Sequence, residues 1–410
     1  MKILHTSDWH LGRYLYRQKR YEEFETFLNW LVKVIKEEQI DALIVAGDIF
    51  DNTTPSNQAQ KLYYRFLAKV ASGGCRNIVI TAGNHDSPSF LNAPSQILEA
   101  LNVFVVGNAS EENPENEVIM LQNKTGDIEG IVCAVPYLRE RDIRRSEIGE
   151  TSSDKDKLLI EGIQKHYSTV CEIAEEKREK IEKESGKRIP LIATGHLFTA
   201  GGKTSEDDGV RELYIGSLGH IKSDIFPEFV DYTALGHLHI PQAVGGKDNI
   251  RYSGSPIPMS FGEAKQEKSV VIVDFNAEKP VICLYPVPCF QKLERIKGDI
   301  DNISSRIKEL SAENADIWIE VEYTGKNLAT GLKEELELLV ENTQIEILRV
   351  INRRIIENVL SQGTENETLD DLDEKDVFER CLDTHEIQGE QRTMLIDLYA
   401  EVLSICMKPI

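Results

Sequence analysis

The residues of this chain best suited to chemistry are carboxylates, amides and imidazoles that follow short apolar stretches. The first stretch, residues 2–7, is predicted to be a strand, and Asp8 and His10 come directly after it. Side chains alternate between faces in extended backbone, so we expect these two side chains to point the same way. A carboxylate beside an imidazole is a suitable donor pair for a divalent metal ion.

Four later segments repeat this design, with a glycine between the apolar stretch and the polar residue: Gly47-Asp48, Gly83-Asn84-His85, Gly195-His196 and Gly236-His237-x-His239. Glycine permits the tight turn that places the next side chain at the strand end. Mixed oxygen and imidazole donors favour Mn²⁺, Fe²⁺ or Zn²⁺, and about seven ligands with one shared carboxylate favour two ions. Two cations about 4 Å apart stabilise in-line displacement at phosphorus. The pattern therefore predicts metal-assisted hydrolysis of phosphate esters.

Alternating strands and helices are predicted to position these residues. Apolar residues at helical spacing predict helices over 21–38 and 56–70, and apolar runs predict strands over 41–46 and 77–82. This β-α-β-α-β order indicates a largely parallel sheet, whose ligands gather at the carboxyl ends of its strands. Further strands are predicted at 102–107, 117–135, 191–194, 231–235, 250–253 and 269–275, with a long helix at 155–185.

Charge is unevenly distributed along the 410 residues. The net charge is −22, and residues 361–410 alone carry 13 acidic against 4 basic residues. Basic residues cluster instead beside the first motif and after residue 138, so a local groove for a phosphodiester backbone is compatible with the acidic total. The two clusters are Arg13, Arg17, Lys19 and Arg20, and then Arg139, Arg141, Arg144 and Arg145.

The chain has the composition of an intracellular protein. Its seven cysteines are scattered and odd in number, as expected in a reducing compartment rather than in a disulfide framework. No apolar run approaches the roughly 18 residues that a membrane span needs. We therefore expect a cytoplasmic protein without a membrane partner.

The ordered motifs resemble the signature of the calcineurin-like metallophosphoesterases. The signature comprises Asp8-x-His10, Gly47-Asp48-x-x-Asp51, Gly83-Asn84-His85-Asp86, Gly195-His196 and Gly236-His237-x-His239. Five longer sequence segments are similar to those of the SbcD family of nuclease subunits: residues 5–12, 46–51, 135–139, 234–239 and 252–256. This resemblance is close over residues 1–275 and extends to the rest only in layout.

The resemblance implies a role for each site residue. One metal ion would be held by Asp8, His10 and His239; the other would be held by Asn84, His196 and His237; and Asp48 would bridge the two. His85 would act on the transition state or the leaving oxygen rather than bind metal. Asp51 and Asp86 would orient the ligands from behind, with simple turn capping as the alternative. Apart from the resemblance, the basic clusters offer DNA contacts at Arg13, Arg17, Lys19, Arg20 and Arg139, with an ordinary solvated surface as the alternative.

The fold class that follows is α/β, with a calcineurin-like β-sandwich flanked by helices over residues 1–275. A small α+β capping domain for DNA recognition is expected over 276–351, built from a strand, a helix (300–312), a strand (315–323), a helix (329–341) and a strand (344–350). A linker over 352–370 and a helical, partner-binding segment over 371–410 would complete the chain.

By resemblance, the activity is that of a Mn²⁺-dependent DNA nuclease with two metal ions. It would act as a 3′-to-5′ exonuclease on duplex ends and as an endonuclease on single strands and hairpins, in DNA end processing, replication, repair and recombination. The implied partner is an SbcC-type ABC ATPase in a nucleoid-associated heterotetramer. The helices at 21–38 and 56–70 are candidates for homodimerisation.

Two other hypotheses for the function are compatible with the sequence. The same metal site serves small-molecule phosphatases and cyclic-nucleotide phosphodiesterases. A non-catalytic scaffold that keeps the fold and only binds DNA or the ATPase is the second alternative.

Overall fold

The computed structural model describes residues 1–110, 112–143, 151–204, 221–277, 279–325 and 332–352, together with residues 378, 379, 382, 389, 392–396, 398 and 399. The chain divides into two units, Met1–Gln291 and Lys292–Ile410. Residues 353–370 of the predicted linker, most of the predicted C-terminal helical segment, and Arg144 and Arg145 lie outside the described residues.

The first unit alternates strands and helices much as the apolar pattern predicts. Its strands are β1 Lys2–Thr6, β2 Tyr14–Leu15, β3 Gln18–Lys19, β4 Ala42–Ala46, β5 Asn77–Thr81, β6 Val103–Val106, β7 Val118–Gln122, β8 Ile128–Cys133, β9 Leu191–His196, β10 Tyr232–Gly236, β11 Gln242–Val244, β12 Lys247–Tyr252, β13 Ser269–Asp274 and β14 Val281–Pro286. Its helices are α1 Tyr21–Glu37, α2 Asn57–Ser72, α3 Pro88–Asn92, α4 Ser95–Glu99, α5 Glu140–Ile143 and α6 Ser152–Ser185.

Two six-stranded sheets form the frame of this unit. The first has the order β14-β13-β1-β4-β5-β6, with β1, β4, β5 and β6 parallel. The second has the order β11-β12-β10-β9-β8-β7, with β12, β10, β9 and β8 parallel. The parallel strands of each sheet therefore end at one edge, where the motif residues follow.

The sheets pack face to face and are covered by helices on their outer faces. Between the sheets lies a core that includes Ile3, Ile44 and Ile192, all fully buried. Helices α1 and α2 cover the first sheet, and α6 covers the second. Strands that are buried on both faces have continuous apolar sequences, and all five residues of β4 are apolar and buried. The predicted β-sandwich flanked by helices is confirmed.

The first unit ends at Gln291, whereas the sequence predicts a domain boundary after residue 275. Strand β14 pairs antiparallel with β13 from Ser269↔Pro286 to Asp274↔Val281, so it extends the first sheet. The prolines of this stretch suggest an exit from the domain, but proline is tolerated on an edge strand. Strand β14 is such an edge, with the Val281 side chain 57% exposed.

The second unit contains a small parallel sheet with two helices. Its elements are β15 Lys292–Gly298, α7 Ile300–Ala312, β16 Ile317–Tyr323, α8 Leu332–Val340 and β17 Ile345–Asn352. The strands are parallel in the order β15-β16-β17. Ile307 of α7, Ile319 of β16 and Leu336 of α8 are buried in one core. The side chain of Asp299 caps α7 by accepting a hydrogen bond from the Asn302 N–H at 2.9 Å. Among the described helices, none combines the length and hydropathy that a bilayer crossing requires.

Candidate metal centre

Side chains from five strand ends meet at one edge of the sandwich. Strand β1 leads to Asp8 and His10, β4 to Asp48, β5 to Asn84 and His85, β9 to His196, and β10 to His237 and His239. All of these except Asn84 and His85 are buried, with side chains no more than 3% exposed. The structure thus brings together all seven predicted ligands and His85.

Two groups of potential ligand atoms can be distinguished. In the first, one atom each from Asp8, His10 and His239 lies within 4.8 Å of the others. The Nε2 atoms of His10 and His239 are 3.3 Å apart. The second group has the same 4.8 Å spacing and contains Asp48, His196 and His237.

Asp48 belongs to the second group but also faces the first. Its Oδ2 atom is 3.3 Å from His196 Nε2 and 3.6 Å from His10 Nε2. The Asn84 Oδ1 atom adds an oxygen to the second group, 3.0 Å from His196 Nε2 and 3.1 Å from His237 Nδ1. Carboxylate, amide and imidazole donors that converge at these distances fit two divalent ions bridged by one carboxylate.

His85 lies beside the groups but is held differently. Its Nδ1 donates to the Asp51 carbonyl at 2.8 Å, and its backbone N–H donates to Asp48 Oδ1 at 3.0 Å. Its ring is 4.8 Å from the ring of His10. Because Nδ1 donates to a carbonyl, Nε2 is the nitrogen that remains for substrate. A third group of candidate ligand atoms joins His85 to His10 and Asp51.

The ligands converge for a reason that differs from the strand alternation predicted above. Strand β1 ends at Thr6, and Asp8 and His10 have left-handed backbone with φ of 53° and 47°. Asp48 and His237 also have positive φ, at 50° and 104°. Each such residue costs about 1–3 kcal/mol and persists where the surroundings enforce it, typically at functional sites. Here Asp8 N–H donates to the Gly47 carbonyl and His10 N–H to the Asp48 carbonyl, both at 3.0 Å.

Gly47 is required by the close approach of a ligand. Its φ is +87°, and a Cβ atom there would lie 2.1 Å from His196 Nδ1. We expect Gly47→Ala to lower the free energy of unfolding by about 1–3 kcal/mol more than Gly74→Ala, and to weaken metal binding by the His196 group. Urea unfolding in EDTA and Mn²⁺ titration measure the two effects.

Gly74→Ala is the matched control for that substitution. Gly74 also has a positive φ, +101°, but no atom lies within 4 Å of a Cβ placed there. The difference between the two variants therefore isolates the clash with His196 from backbone strain. Equal unfolding free energies and equal metal affinities would contradict the prediction.

Burial and charge act in opposite directions on the ionisable groups of the centre. Burial disfavours a protonated His196, but the Asp48 and Asp8 carboxylates raise its pKa to about 9. Burial also disfavours the Asp48 carboxylate, yet the His196 charge and the hydrogen bond from His196 hold the pKa of Asp48 well below its usual range. Burial lowers the pKa of His10 and His237, so both imidazoles are neutral at pH 7. The proton on His196 must leave before its Nε2 binds metal.

Asp86 and Asp51, the two carboxylates predicted to orient the ligands, lie next to the turns that carry them. The Asp86 carboxylate accepts from the N–H groups of Gly83, Ile49 and Phe50 at 2.8–3.2 Å, so it ties the β5 turn to the β4 turn. Burial and the Asp48 charge raise the pKa of Asp86 to about 6, although these hydrogen bonds act to lower it. Asp51 is less buried, with Oδ1 3.6 Å from His10 Nδ1 and 3.2 Å from an Arg13 nitrogen.

Glu263 and Lys268 also belong to the centre, and the sequence reasoning missed both. Glu263 Oε1 is 3.0 Å from His239 Nδ1, and Lys268 Nζ is 2.5 Å from Glu263 Oε2. Both residues lie in the loop between β12 and β13, where charged residues usually face solvent. No motif or spacing signal in that loop distinguishes them from the exposed Lys265 and Glu267.

The basic residues proposed as DNA contacts fall into different environments. Arg17 and Lys19 are exposed on the β2–β3 hairpin. Arg13 is half-buried and pairs with Asp51, and Arg139 donates to the Asp86 carbonyl at 3.1 Å while lying 5.7 Å from the Tyr137 ring centre.

Arg20 departs from its predicted role as a DNA contact. The residue is only 2% exposed. Its Nε donates to Glu23 and a terminal nitrogen donates to the Pro258 carbonyl, both at 2.7 Å. A guanidinium enclosed in this way does not reach a phosphate, so Arg20 is a structural residue.

Comparisons with known proteins agree with this geometry. The family model described as "Calcineurin-like phosphoesterase" matches residues 1–241, and the model described as "Type 5 capsule protein repressor C-terminal domain" matches residues 289–386. The SbcD chain of the SbcCD nuclease of Escherichia coli K12 is 35% identical over 410 residues, covering 98% of both chains. The SbcD chains of Rhodobacter capsulatus and Bacillus subtilis are 36% and 35% identical, covering 67% of this chain and 66% of their own lengths.

Proposed function

This chain belongs to the calcineurin-like phosphoesterases and, within them, to the SbcD family of nuclease subunits, and on that premise we propose that it is a two-metal DNA nuclease. The observation that carries the proposal is the position of Asp48, a buried carboxylate whose Oδ2 atom lies 3.3 Å from His196 of one group and 3.6 Å from His10 of the other. A carboxylate shared by two ligand groups suits a pair of cations about 3.5–4 Å apart, the arrangement that two-metal phosphodiesterases use.

The residues of this chain have separable tasks in phosphodiester hydrolysis. When bound, the two ions supply an activated nucleophile and neutralise charge that develops on the phosphoryl oxygens. Asp8, Asp48 and Asn84 present the oxygen ligands, while Asp86 fixes the turn that carries Asn84 and His85. In the imidazolium form, His85 keeps Nδ1–H on the Asp51 carbonyl and gives the Nε2 proton to the sugar oxygen that leaves, which turns His85 neutral.

Manganese is the metal ion we propose for the centre. A donor set of two carboxylates, one amide and four imidazoles is softer than the oxygen cage of Mg²⁺ and lacks the thiolates of structural zinc sites. With this ion we propose 3′-to-5′ exonuclease activity on duplex ends and endonuclease activity on single strands and hairpins.

The β2–β3 hairpin is the proposed contact with the DNA backbone. Arg17 and Lys19 project from it into solvent, and Arg13 connects its base to Asp51 beside the metal centre. Tyr14 is 48% exposed on the same hairpin and offers a ring to an unpaired base. Arg139, which packs against Tyr137 and the Asp86 carbonyl, is proposed to contact phosphate closer to the metal ions.

Assembly with an SbcC-type ABC ATPase is the proposed setting of the activity. Residues 276–351 are proposed as the capping domain for DNA recognition, and residues 371–410 as the segment that binds the ATPase. We further propose a homodimer through α1 and α2, between which Leu28, Leu62 and Phe66 line a groove. Two nuclease and two ATPase chains would then form a heterotetramer that works on chromosomal DNA in the cytoplasm.

Cleavage of an end-labelled hairpin duplex with Mn²⁺, by the chain alone and with its ATPase partner, tests this function. We expect nicking near the hairpin tip and shortening from the 3′ end. We also expect duplex DNA to inhibit hydrolysis of bis-p-nitrophenyl phosphate competitively. Hydrolysis of the small diester without any cleavage of DNA, even with the partner present, would contradict the nuclease proposal and favour a small-molecule phosphodiesterase. Failure to hydrolyse either substrate while binding DNA would favour a scaffold.

A further inference from the structure

A buried acid–base pair stands directly behind one of the metal ligands. Glu263 is 0% and Lys268 6% exposed, and their side chains approach to 2.5 Å. The other oxygen of Glu263 accepts from His239 Nδ1 at 3.0 Å. These contacts connect a lysine in the loop before β13, through a carboxylate, to a ligand of the first metal group.

Lys268 is bound tightly within this arrangement. Its ammonium group lies within hydrogen-bonding distance of the His239 carbonyl at 3.2 Å, Ser255 Oγ at 2.9 Å and Gln266 Oε1 at 3.0 Å, besides Glu263. Lys268 therefore touches both the backbone of His239 and the carboxylate that binds the His239 ring.

The second metal group is supported differently. His196 Nδ1 donates to the backbone carbonyl of Ala46 at 3.0 Å, a neutral acceptor. A carboxylate behind an imidazole makes that imidazole a stronger donor to metal than a carbonyl does, and it holds the ring in one tautomer and orientation. For His239 this places the lone pair on Nε2, 3.3 Å from Nε2 of His10.

A buried carboxylate supports a ligand in this way only if its own charge is compensated. An unpaired carboxylate in the interior is strongly disfavoured, whereas a paired and hydrogen-bonded one is tolerated. Lys268 supplies the compensating charge at Glu263 Oε2. The Ser255 hydroxyl and the Met259 N–H donate to that same oxygen at 3.1 Å each. Glu263 is thereby kept as an anion aimed at His239.

We propose that Glu263 and Lys268 are positioning residues that strengthen metal binding by Asp8, His10 and His239 relative to the second group. The proposal rests on the two-metal centre of the proposed function, but its test needs no DNA. Lys268 acts through Glu263, and Glu263 acts through His239, so neither residue touches the metal or the substrate.

Stepwise Mn²⁺ binding to the metal-free full-length chain tests this proposal. The first group is isolated in an Asn84→Ala background and the second in a His10→Ala background. We expect Glu263→Gln and Lys268→Met each to weaken binding at the first group by about 10- to 100-fold and to leave the second group within about threefold. Lys265→Met is the matched control, since Lys265 is exposed three residues earlier in the same loop.

Two further variants separate positioning from folding. The Glu263→Gln, Lys268→Met double variant has no uncompensated charge, and we expect it to bind metal no more weakly than Glu263→Gln alone, because Lys268 acts through Glu263. Lys268→Arg keeps the charge and is expected to recover most of the affinity. Thermal unfolding in EDTA reports on the fold of each variant without metal.

Either of two results would overturn the proposal. Equal weakening of both groups, together with a lower Tm in EDTA, would mean that the pair only stabilises the fold. Unchanged affinity at the first group in the Glu263→Gln variant would mean that His239 needs no carboxylate. Failure of the chain to cleave DNA would contradict the nuclease proposal and leave these binding measurements valid.

Discussion

Asp48→Asn is expected to remove tight binding of both metal ions and to lower the rate of diester hydrolysis on the order of 10³-fold or more. Asparagine keeps the shape of the side chain but removes the charge that faces both groups. Asp48 lies 3.3 Å from His196 and 3.6 Å from His10 and is 2% exposed, so water cannot readily replace it. Metal content after desalting and hydrolysis of bis-p-nitrophenyl phosphate measure the two effects.

The control for this substitution is Asp248→Asn, which makes the same chemical change at a side chain that is 94% exposed. That variant should keep both ions and full activity. Asp48 and His196 also shift each other's pKa, that of Asp48 downward and that of His196 upward. The substitution therefore removes a charge on which the protonation of His196 depends. An Asp48→Asn variant that retains two ions and wild-type activity would contradict the bridging position.

His85→Ala is expected to show the converse pattern, with both ions retained and kcat reduced about 10²- to 10⁴-fold. The His85 ring is fixed by its hydrogen bond to the Asp51 carbonyl and belongs to neither of the two groups around Asp48. Its removal therefore takes away proton transfer to the leaving oxygen without removing a ligand. Single-turnover rates and metal content, measured on the same preparation, separate the two contributions.

Loss of one ion from His85→Ala would contradict this division of tasks. In that case the third group, in which His85 lies near His10 and Asp51, would be a true metal site. A substrate with a better leaving group offers a second check. If His85 protonates the leaving oxygen, the variant should lose much less activity on bis-p-nitrophenyl phosphate than on DNA, because nitrophenolate leaves without a proton.

The motifs made most of the sandwich and the convergence of the candidate ligands predictable, because each candidate ligand follows a strand in sequence. The β-α-β-α-β order and the glycines before Asp48, Asn84, His196 and His237 are local features that need no knowledge of long-range contacts. Even so, the convergence of Asp8 and His10 comes from left-handed backbone rather than from strand alternation. The convergence of these two residues was thus predicted, but for an incomplete physical reason.

The residues that the sequence did not reveal depend on contacts between distant segments. Glu263 meets His239 across 24 positions of the chain, and Arg20 meets the Pro258 carbonyl across 238. Nothing in composition separates a buried loop glutamate from an exposed one, or a buried arginine from its exposed neighbours Arg17 and Lys19. The boundary near residue 275 differs for a similar reason, since β14 shows its membership in the first sheet only through pairing with β13.

The number of Mn²⁺ ions bound per chain at full catalytic activity tests the two-metal centre most directly. The metal-free protein is titrated with Mn²⁺ while bound metal and hydrolysis of the hairpin duplex, with the ATPase partner present, are followed in the same samples. We predict two ions per chain, with cleavage rising in step with occupancy of the second. Full activity at one ion per chain would contradict a centre in which Asp48 bridges two metal ions.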